Sequence, residues 1–263
     1  MKRLKVIYLF VVFLLSGMMV SCNSKAVSNV TGQVEIKVYP NNNNVVSFSI
    51  EAKSVEIDWG DGNTDDISIS EDVSKSITHK YSNQHLQIIR LNTKAMKYFS
   101  FRDDFGTFYE LKFDNCSALE ELKFQNGQLT SLDVRNCPAL LSLWCWRNQL
   151  TSLDVINCPA LYDLQCMINQ LTSLDVSYLT NLQLLSCYNN QLTSLNISKC
   201  TKLNKLWCWG NQLSTSELNA LFNNLPQREQ GDNTQVYCGN NLGYTTCDKS
   251  IAENRGWTVS TSL

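Results

Sequence analysis

Residues 129–149 read LTSLDVRNCPALLSLWCWRNQ, and this 21-residue unit recurs three more times without a gap. The later copies read LTSLDVINCPALYDLQCMINQ (150–170), LTSLDVSYLTNLQLLSCYNNQ (171–191) and LTSLNISKCTKLNKLWCWGNQ (192–212). Repetition at a short fixed period is typical of a solenoid, in which each unit packs mainly on its neighbours. The sequence therefore predicts a stack of similar coils.

Each copy carries the frame L-x-x-L-x-C-x-x-N-Q-L, which in the first copy runs from Leu140 to Leu150. This frame resembles the leucine-rich repeat, in the short form found in bacterial surface proteins. The resemblance implies a solenoid with a parallel sheet on its concave side and a role in recognition. Because 21 residues leave little room for a convex α-helix, we expect turns, 3₁₀ pieces or short extended bridges opposite the sheet.

Two columns of amide side chains accompany the repeat. The asparagine column comprises Asn148, Asn169, Asn190 and Asn211, and the glutamine column comprises Gln128, Gln149, Gln170, Gln191 and Gln212. We expect the asparagines to bond backbone groups of their own coil and of the adjacent coil, because a buried turn cannot leave these groups unpaired. Gly127 replaces the asparagine in the preceding, imperfect repeat, so the column should start weakly there.

The chain has 11 cysteines, and most of them follow the repeat. One register holds Cys145, Cys166, Cys187 and Cys208, and a second holds Cys116, Cys137, Cys158 and Cys200. Phe124 and Leu179 take these registers in other copies, which favours buried thiols over disulfides because the positions accept any compact apolar group. There is no C-x-x-C or Cys/His grouping, so no metal site and no cofactor are predicted. Cys238 and Cys247 lie outside this pattern, and whether they pair is left open.

The N-terminus resembles the signal peptide of a bacterial lipoprotein. Basic residues at 2, 3 and 5 precede an apolar run that is too short for a transmembrane helix and ends in Met19-Val20-Ser21-Cys22. The resemblance implies a signal peptide over residues 1–21, lipidation of Cys22 and a polar tether over 22–32. The alternative is an ordinary signal peptide. Asn23 follows the lipidated cysteine, which in such proteins favours the outer membrane, so we expect a lipid-anchored protein of the cell envelope.

Residues 33–93 alternate apolar and polar side chains in short stretches, which predicts β-strands. Trp59-Gly60-Asp61-Gly62 and the later His79-x-Tyr81 resemble the PKD-type domain, which implies an immunoglobulin-like β-sandwich with Trp59 in its core. The nearby aspartates miss the spacing of a calcium loop, so we interpret them as turn residues and solvated acids. We expect His79 to bond a neighbouring side chain.

The solenoid is predicted over residues 94–212, beginning at a stretch around Phe99 that aligns with the strand of the later repeats. Residues 213–263 are predicted to form a C-terminal α/β cap. Ser214-x-x-Glu217 fits a capping box before a helix that Pro226 would stop, and Gln235-Val-Tyr-Cys238 offers one more strand. The predicted class is therefore mainly β: a sandwich, a solenoid and a cap.

Side chains that flank the cysteine register point out of a parallel sheet, because successive side chains alternate along a strand. This predicts a binding face formed by Trp144, Trp146, Met167, Tyr188, Trp207 and Trp209. Clustered aromatic side chains dominate protein-binding hot spots and also stack on sugar rings. The alternatives are a filler ladder, in which the rings pack on each other, and burial beneath the N-terminal domain.

Three functions remain after the bulk properties are considered. The net charge of −2 argues against a nucleic-acid partner. No nucleophile elbow is present, and the adjacent acids at 103–104 and 120–121 would point to different faces of a strand, so the protein is predicted not to be an enzyme. We favour a module that binds a protein ligand, with glycan binding or a spacer without ligand as alternatives.

Overall fold

The computed structural model describes residues 32–69, 73–101, 107–229, 232 and 234–261. The predicted signal peptide, the lipidation of Cys22, almost all of the tether and the acid pair at 103–104 lie outside these residues. Within the described ranges, no helix is both long and apolar enough to cross a membrane.

The described residues form strands with two short helices near the C-terminus. The strands before the repeats are β1 (Gly32–Tyr39), β2 (Val45–Glu51), β3 (Ser54–Asp58), β4 (Thr64–Ser68), β5 (Lys75–Lys80), β6 (Gln87–Lys94), β7 (Tyr98–Phe101) and β8 (Thr107–Asp114). Those of the repeats are β9 (Glu121–Phe124), β10 (Ser131–Asp133), β11 (Ser142–Trp144), β12 (Asp163–Gln165), β13 (Leu184–Ser186) and β14 (Lys205–Trp207). The C-terminal elements are α1 (Thr215–Asn223), β15 (Gln235–Tyr237), α2 (Ser250–Glu253) and β16 (Thr258–Ser260).

Two sheets contain all of these strands. The first has the order β10-β8-β1-β6-β3-β4, and the second has the order β16-β15-β14-β13-β12-β11-β9-β7-β2-β5. Aromatic rings join the two sheets at the N-terminal end, where Phe99 of β7 lies 6.0 Å from Phe113 of β8 between ring centroids. Both rings are fully buried, so the sheets share one apolar core there.

Hydrogen bonds and ring stacking hold the turn that begins at Trp59 (residues 59–62) in place. Trp59 is fully buried, as predicted, and its indole N–H donates to an Asp65 carboxylate oxygen at 2.8 Å. The Tyr81 hydroxyl donates to the Trp59 carbonyl oxygen at 2.9 Å. His79 stacks on the Trp59 ring and its Nε2 lies 2.8 Å from an Asp61 carboxylate oxygen, so it bonds a neighbour as expected. Similarity to PKD-type domains stays a prediction.

Strand β7 belongs to both halves of the molecule. It pairs antiparallel with β2 of the sandwich and parallel with β9 of the repeats. Strand β8 follows it in the chain and pairs antiparallel with β1. Backbone hydrogen bonds therefore run without interruption across the predicted boundary between residues 93 and 94.

The repeats form the predicted solenoid with a parallel sheet. Strands β9, β11, β12, β13, β14, β15 and β16 pair parallel and in register. The central leucine of each repeat strand points inward and is fully buried, as in Leu143, Leu164 and Leu185. Opposite the sheet, residues 129–212 form turns, with β10 as a short extended piece and no helix. The predicted mainly β solenoid class is confirmed.

The asparagine column holds adjacent coils together as predicted. In one rung, Asn190 Nδ2 donates to the carbonyl oxygens of Cys166 and Cys187 at 3.1 and 3.0 Å, and Asn190 Oδ1 accepts from the Leu171 N–H at 3.0 Å. The same bonds recur at Asn148, Asn169, Asn211 and Asn241.

The glutamine column differs from the asparagine column. Its side chains are exposed. Among them only Gln128 has a side-chain hydrogen bond, from the Tyr109 hydroxyl, within the described part of the chain. These glutamines point away from the core, whereas the asparagines before them point into the turn.

Both cysteine registers are columns of buried free thiols, which confirms the preference for thiols over disulfides. Burial raises the pKa of the Cys200 thiol to about 11 and that of the Cys158 thiol to about 12. Cys238, which directly follows β15, extends the first column by one coil. Cys238 and Cys247 are both free, and Cys247 is partly exposed.

The C-terminal segment extends the sheet and covers the last coil. Helix α1 begins after Ser214, whose hydroxyl accepts from the Glu217 N–H at 3.3 Å, as the capping-box pattern predicts. The Trp257 side chain is buried, and its indole N–H donates to the Pro226 carbonyl oxygen at 2.8 Å. The two segments of the cap are therefore tied to each other.

Candidate binding face

Side chains that point outward from the parallel sheet form columns across the repeats. Trp144, Gln165, Ser186, Trp207 and Tyr237 occupy equivalent, hydrogen-bonded positions on successive strands. Trp146, Met167, Tyr188 and Trp209 form a second column, each just after its cysteine. We call the surface formed by Trp144, Trp146, Met167, Tyr188, Trp207, Trp209 and Tyr237 the aromatic face.

The aromatic side chains predicted for this face are partly exposed to solvent. Trp144, Trp146, Tyr188, Trp207 and Trp209 are all half-buried. Met167 differs, because only 9% of it is exposed and its sulfur lies 3.4 Å from the Ser186 hydroxyl. Met167 therefore fills space beneath its neighbours and adds little surface.

The C-terminal part of the face is a packed cluster of rings. Tyr188 and Trp209 stack with centroids 3.7 Å apart and an interplanar angle of 9°. Tyr237 contacts both Trp209 and Trp207 edge to face, at 6.2 and 6.4 Å between centroids. The ring faces of Tyr188 and Trp209 are thus directed at each other, and the predicted alternative of a filler ladder is partly realised here.

The N-terminal part of the face is held by polar contacts. The Trp144 indole N–H donates to an Asp163 carboxylate oxygen at 2.8 Å. The Lys123 ammonium lies 4.5 Å from the Trp144 ring centroid and 2.6 Å from a Glu121 carboxylate oxygen. Trp144 is therefore fixed from two sides by charged groups. The pairing of Glu121 with Lys123 agrees with its assignment as a surface acid.

Several other polar atoms of the aromatic face differ from the Trp144 indole N–H because they have no hydrogen-bond partner among the described residues, although the Tyr237 hydroxyl donates to the Gln235 side-chain oxygen at 3.2 Å. Within the described residues, the Tyr188 hydroxyl and the Trp146 and Trp209 indole N–H groups have no hydrogen-bond partner. The Trp207 indole N–H also lacks a partner and is buried. The polar atoms of Tyr188, Trp146 and Trp209 keep some solvent access and are free to bond a ligand, whereas the Trp207 indole N–H lies beneath the surface.

Tyr237 belongs to the face although the sequence prediction did not include it. The strand Gln235–Tyr237 had been assigned to the cap, but its register places Tyr237 directly beside Trp207. Asn241, which stands three residues after Cys238 as in every repeat, was the available signal. Extending the repeat frame by one coil would have added Tyr237 to the column.

A second surface feature lies away from the sheet. An open cavity of about 480 Å³ is lined by Asn115, Ser117, Arg135, Asn136, Pro138, Ile156, Asn157 and Pro159. The Arg135 guanidinium there already donates to the Asp133 carboxylate at 2.7 Å. In the described ranges, no group of three or more histidine, cysteine, aspartate or glutamate side chains is placed to hold a metal ion.

No protein-family model and no curated protein matches the chain. Among solved structures, the chain is similar to the functional domain of InlJ from Listeria monocytogenes, which includes a cysteine ladder. The sequences are 30% identical over 55% of this chain and 35% of that one, with a TM-score of 0.45.

The chain is also similar to an internalin (inlF) from Listeria monocytogenes, with 22% identity over 55% of this chain and 48% of that one, and a TM-score of 0.39. This chain thus covers 35% of the first structure and 48% of the second, less than two thirds of either.

Proposed function

We propose that this protein is a non-catalytic binding module that holds a protein ligand on the aromatic face. The carrying observation is the contiguous, half-buried cluster of Tyr188, Trp207, Trp209 and Tyr237. Among the described residues, the Tyr188 hydroxyl and the Trp209 indole N–H of this cluster have no partner and are not buried. Tryptophan and tyrosine in such clusters provide large apolar contact and a polar tip at low entropic cost. This composition is typical of the centre of a protein interface.

The ring geometry favours a protein ligand over a glycan. A sugar stacks on the open face of an aromatic ring. In this cluster, one face of Tyr188 and one face of Trp209 are stacked on each other, and Tyr237 makes an edge contact with Trp209. The Tyr188 hydroxyl and the Trp209 indole N–H, which have no partner among the described residues and are not buried, suit the carbonyl groups of a polypeptide, and the rings suit its apolar side chains.

The proposed anchor would place this face at the cell envelope. It is supported by the sequence Met19-Val20-Ser21-Cys22, by the polar residues after it, and by the start of β1 at Gly32. Replacing Cys22 with serine should abolish incorporation of a labelled fatty acid and release the protein from the membrane fraction. Membrane retention and labelling of Cys22→Ser would contradict the anchor and leave the binding proposal intact.

Selection from a random-peptide display library on the purified protein tests the binding proposal. We expect enriched peptides whose affinity falls about thirtyfold in Trp209→Ala, which corresponds to about 2 kcal/mol for a hot-spot side chain. Tyr178→Ala is the matched control, because Tyr178 is an exposed aromatic outside the aromatic face (50% exposed). Its affinity for the same peptides should not change.

Circular dichroism and thermal unfolding of each variant separate loss of binding from loss of folding. A glycan array that binds the wild type but not Trp209→Ala, with no enriched peptide, would replace the protein ligand by a sugar. Absence of both kinds of ligand would support a spacer role and contradict the proposal.

A further inference from the structure

We infer that the ligand segment held on the C-terminal part of the aromatic face is acidic, and that its carboxylate pairs with Lys205 beside apolar side chains. This inference rests on the proposed function and specifies the chemistry of its partner. It is carried by the distribution of paired and unpaired charges around the cluster.

Lys205 is a cation at the edge of the cluster that has no partner among the residues the structure describes. It begins β14, points outward two residues before Trp207, and is half-buried. Its neighbours in register are Leu184 on one strand and Gln235 on the other, both uncharged. Within the described part of the chain, its ammonium makes no ion pair and no hydrogen bond.

The acidic groups of the same face are already engaged. Glu121 pairs with Lys123 at 2.6 Å. Asp163 accepts from the Trp144 indole at 2.8 Å and from the Gln165 amide at 3.1 Å. Asp163 stands two strands from Lys205, a separation of about 10 Å, which is too far for a direct contact.

A second cation borders the face at its other end. Arg147 is exposed, and its guanidinium lies 5.6 Å from the Trp146 ring and 3.4 Å from the Asn126 amide oxygen; none of the acids in the described ranges pairs with it. The face thus presents unpaired cations while its acids are bonded, although the whole chain has a net charge of −2. Such local complementarity selects partners of opposite sign.

The rings beside Lys205 point to the same ligand chemistry. Trp207 lies two positions from Lys205 on the same side of one strand, but its indole N–H lies beneath the surface, so Lys205 is the group that a ligand carboxylate would reach. An ion pair formed beside an apolar ring surface is less exposed to water than one on an open surface. The stacked Tyr188 and Trp209 rings next to them would contact apolar groups that flank the acid.

The test uses the enriched peptides of the same display selection and the full-length protein. We expect aspartate or glutamate next to aromatic or aliphatic residues in those peptides. Lys205→Gln should weaken their binding by roughly three- to fivefold, the effect of one partly exposed ion pair. The wild-type affinity should also fall on raising salt from about 0.1 M to about 1 M, because screening weakens exposed pairs.

Lys202→Gln is the matched control, since Lys202 is exposed on the adjacent turn and its ammonium bonds the Asn181 amide oxygen at 2.7 Å. It should leave peptide binding unchanged. Charge reversal in Lys205→Glu should shift the selection towards peptides rich in lysine and arginine.

Peptides that require Trp209 but show no acidic preference and no response to Lys205→Gln would overturn this inference while the proposed function stands. If no peptide requires Trp209, the proposed function fails and this inference fails with it. Binding of an acidic polysaccharide through Lys205 without any peptide would overturn both.

Discussion

Replacing Asn190 with alanine should destabilise the solenoid by about 3 kcal/mol. Asn190 is 8% exposed, and its side chain makes hydrogen bonds to two coils. Its Oδ1 is the acceptor for the Leu171 N–H at 3.0 Å, and no other acceptor for that N–H is present in the described residues. In the alanine variant this buried donor is left without a partner, which costs about 1–3 kcal/mol.

The two carbonyl oxygens that accept from the Asn190 amide each have a second hydrogen-bond donor. Cys166 O also accepts from the Asn169 amide at 3.0 Å, and Cys187 O also accepts from the Asn211 amide at 3.1 Å. Each keeps one donor when Asn190 is removed. Loss of the bonds to these oxygens therefore costs about 1 kcal/mol each at most, because neither oxygen is left without a hydrogen bond.

Urea unfolding followed by circular dichroism measures the difference, with Gln191→Ala as the matched control. Gln191 is the next residue, also an amide, but its side chain is exposed and has no hydrogen bond within the described ranges. We expect its replacement to change the free energy of unfolding by less than about 0.5 kcal/mol. Equal effects of the two substitutions would refute the assignment of stability to the asparagine column.

Three further predictions concern the repeat backbone and the thiols. Ile168→Asn should raise the free energy of unfolding by about 1 kcal/mol in the same urea assay. Ile168 has a left-handed φ of 56°, a conformation that asparagine tolerates better than isoleucine, and the equivalent Asn189 has a φ of 51°. A loss of stability would contradict this prediction. Iodoacetamide should modify the partly exposed Cys247 in the folded protein, while Cys166 is modified only after unfolding, as peptide mass spectrometry would show. Burial raises the pKa of the Cys200 thiol to about 11 in the folded protein, compared with about 8.5 in the unfolded chain. The neutral thiol therefore stabilises the fold fully below about pH 8.5, and this contribution is lost as the pH rises towards about 11. Urea midpoints that stay constant from about pH 8 to about pH 11 would contradict this last expectation.

The structural roles of the repeated residues could be predicted from the sequence, because each residue type occurs several times in the same register. The asparagine column, the inward leucines and the buried cysteines all lie where the 21-residue frame places them. The glutamine column shows the limit of this argument. A repeated residue marks a repeated position, but only the direction of the side chain decides whether it bonds the backbone or faces water.

The hydrogen bonding and burial of the side chains on the aromatic face could not be predicted from the sequence. Alternation along the strand placed Trp144 and Trp207 outward, but it could not show that the Trp144 indole N–H is bonded to Asp163 whereas that of Trp207 has no acceptor in the described part of the chain. These differences depend on the neighbouring strand and therefore on residues about 20 positions away. Met167 illustrates the same point, since an outward position on a sheet can still be covered by larger neighbours.

The start of the solenoid could not be located by the repeat frame alone. Phe101 and Phe124 occupy the cysteine register in the first coils and stack 5.4 Å apart. Phe101 also stacks on Phe108 of β8 at 3.6 Å, and β8 is paired with β1 of the sandwich. Large rings stand where later coils have cysteine because the core here must reach a second sheet as well as the next coil.

The sandwich therefore closes the N-terminal end of the solenoid, a role that any stack of coils requires. Because β7 is hydrogen-bonded to both β2 and β9, the aromatic face and the sandwich share one continuous sheet. The ring cluster of Tyr188, Trp209 and Tyr237 lies on β13 to β15 or just after them, whereas β7 is separated from β13 by three strands of that sheet. A ligand on this cluster would therefore approach the C-terminal half of the repeat sheet, and the surface that it covers would not overlap the surface on which the sandwich packs.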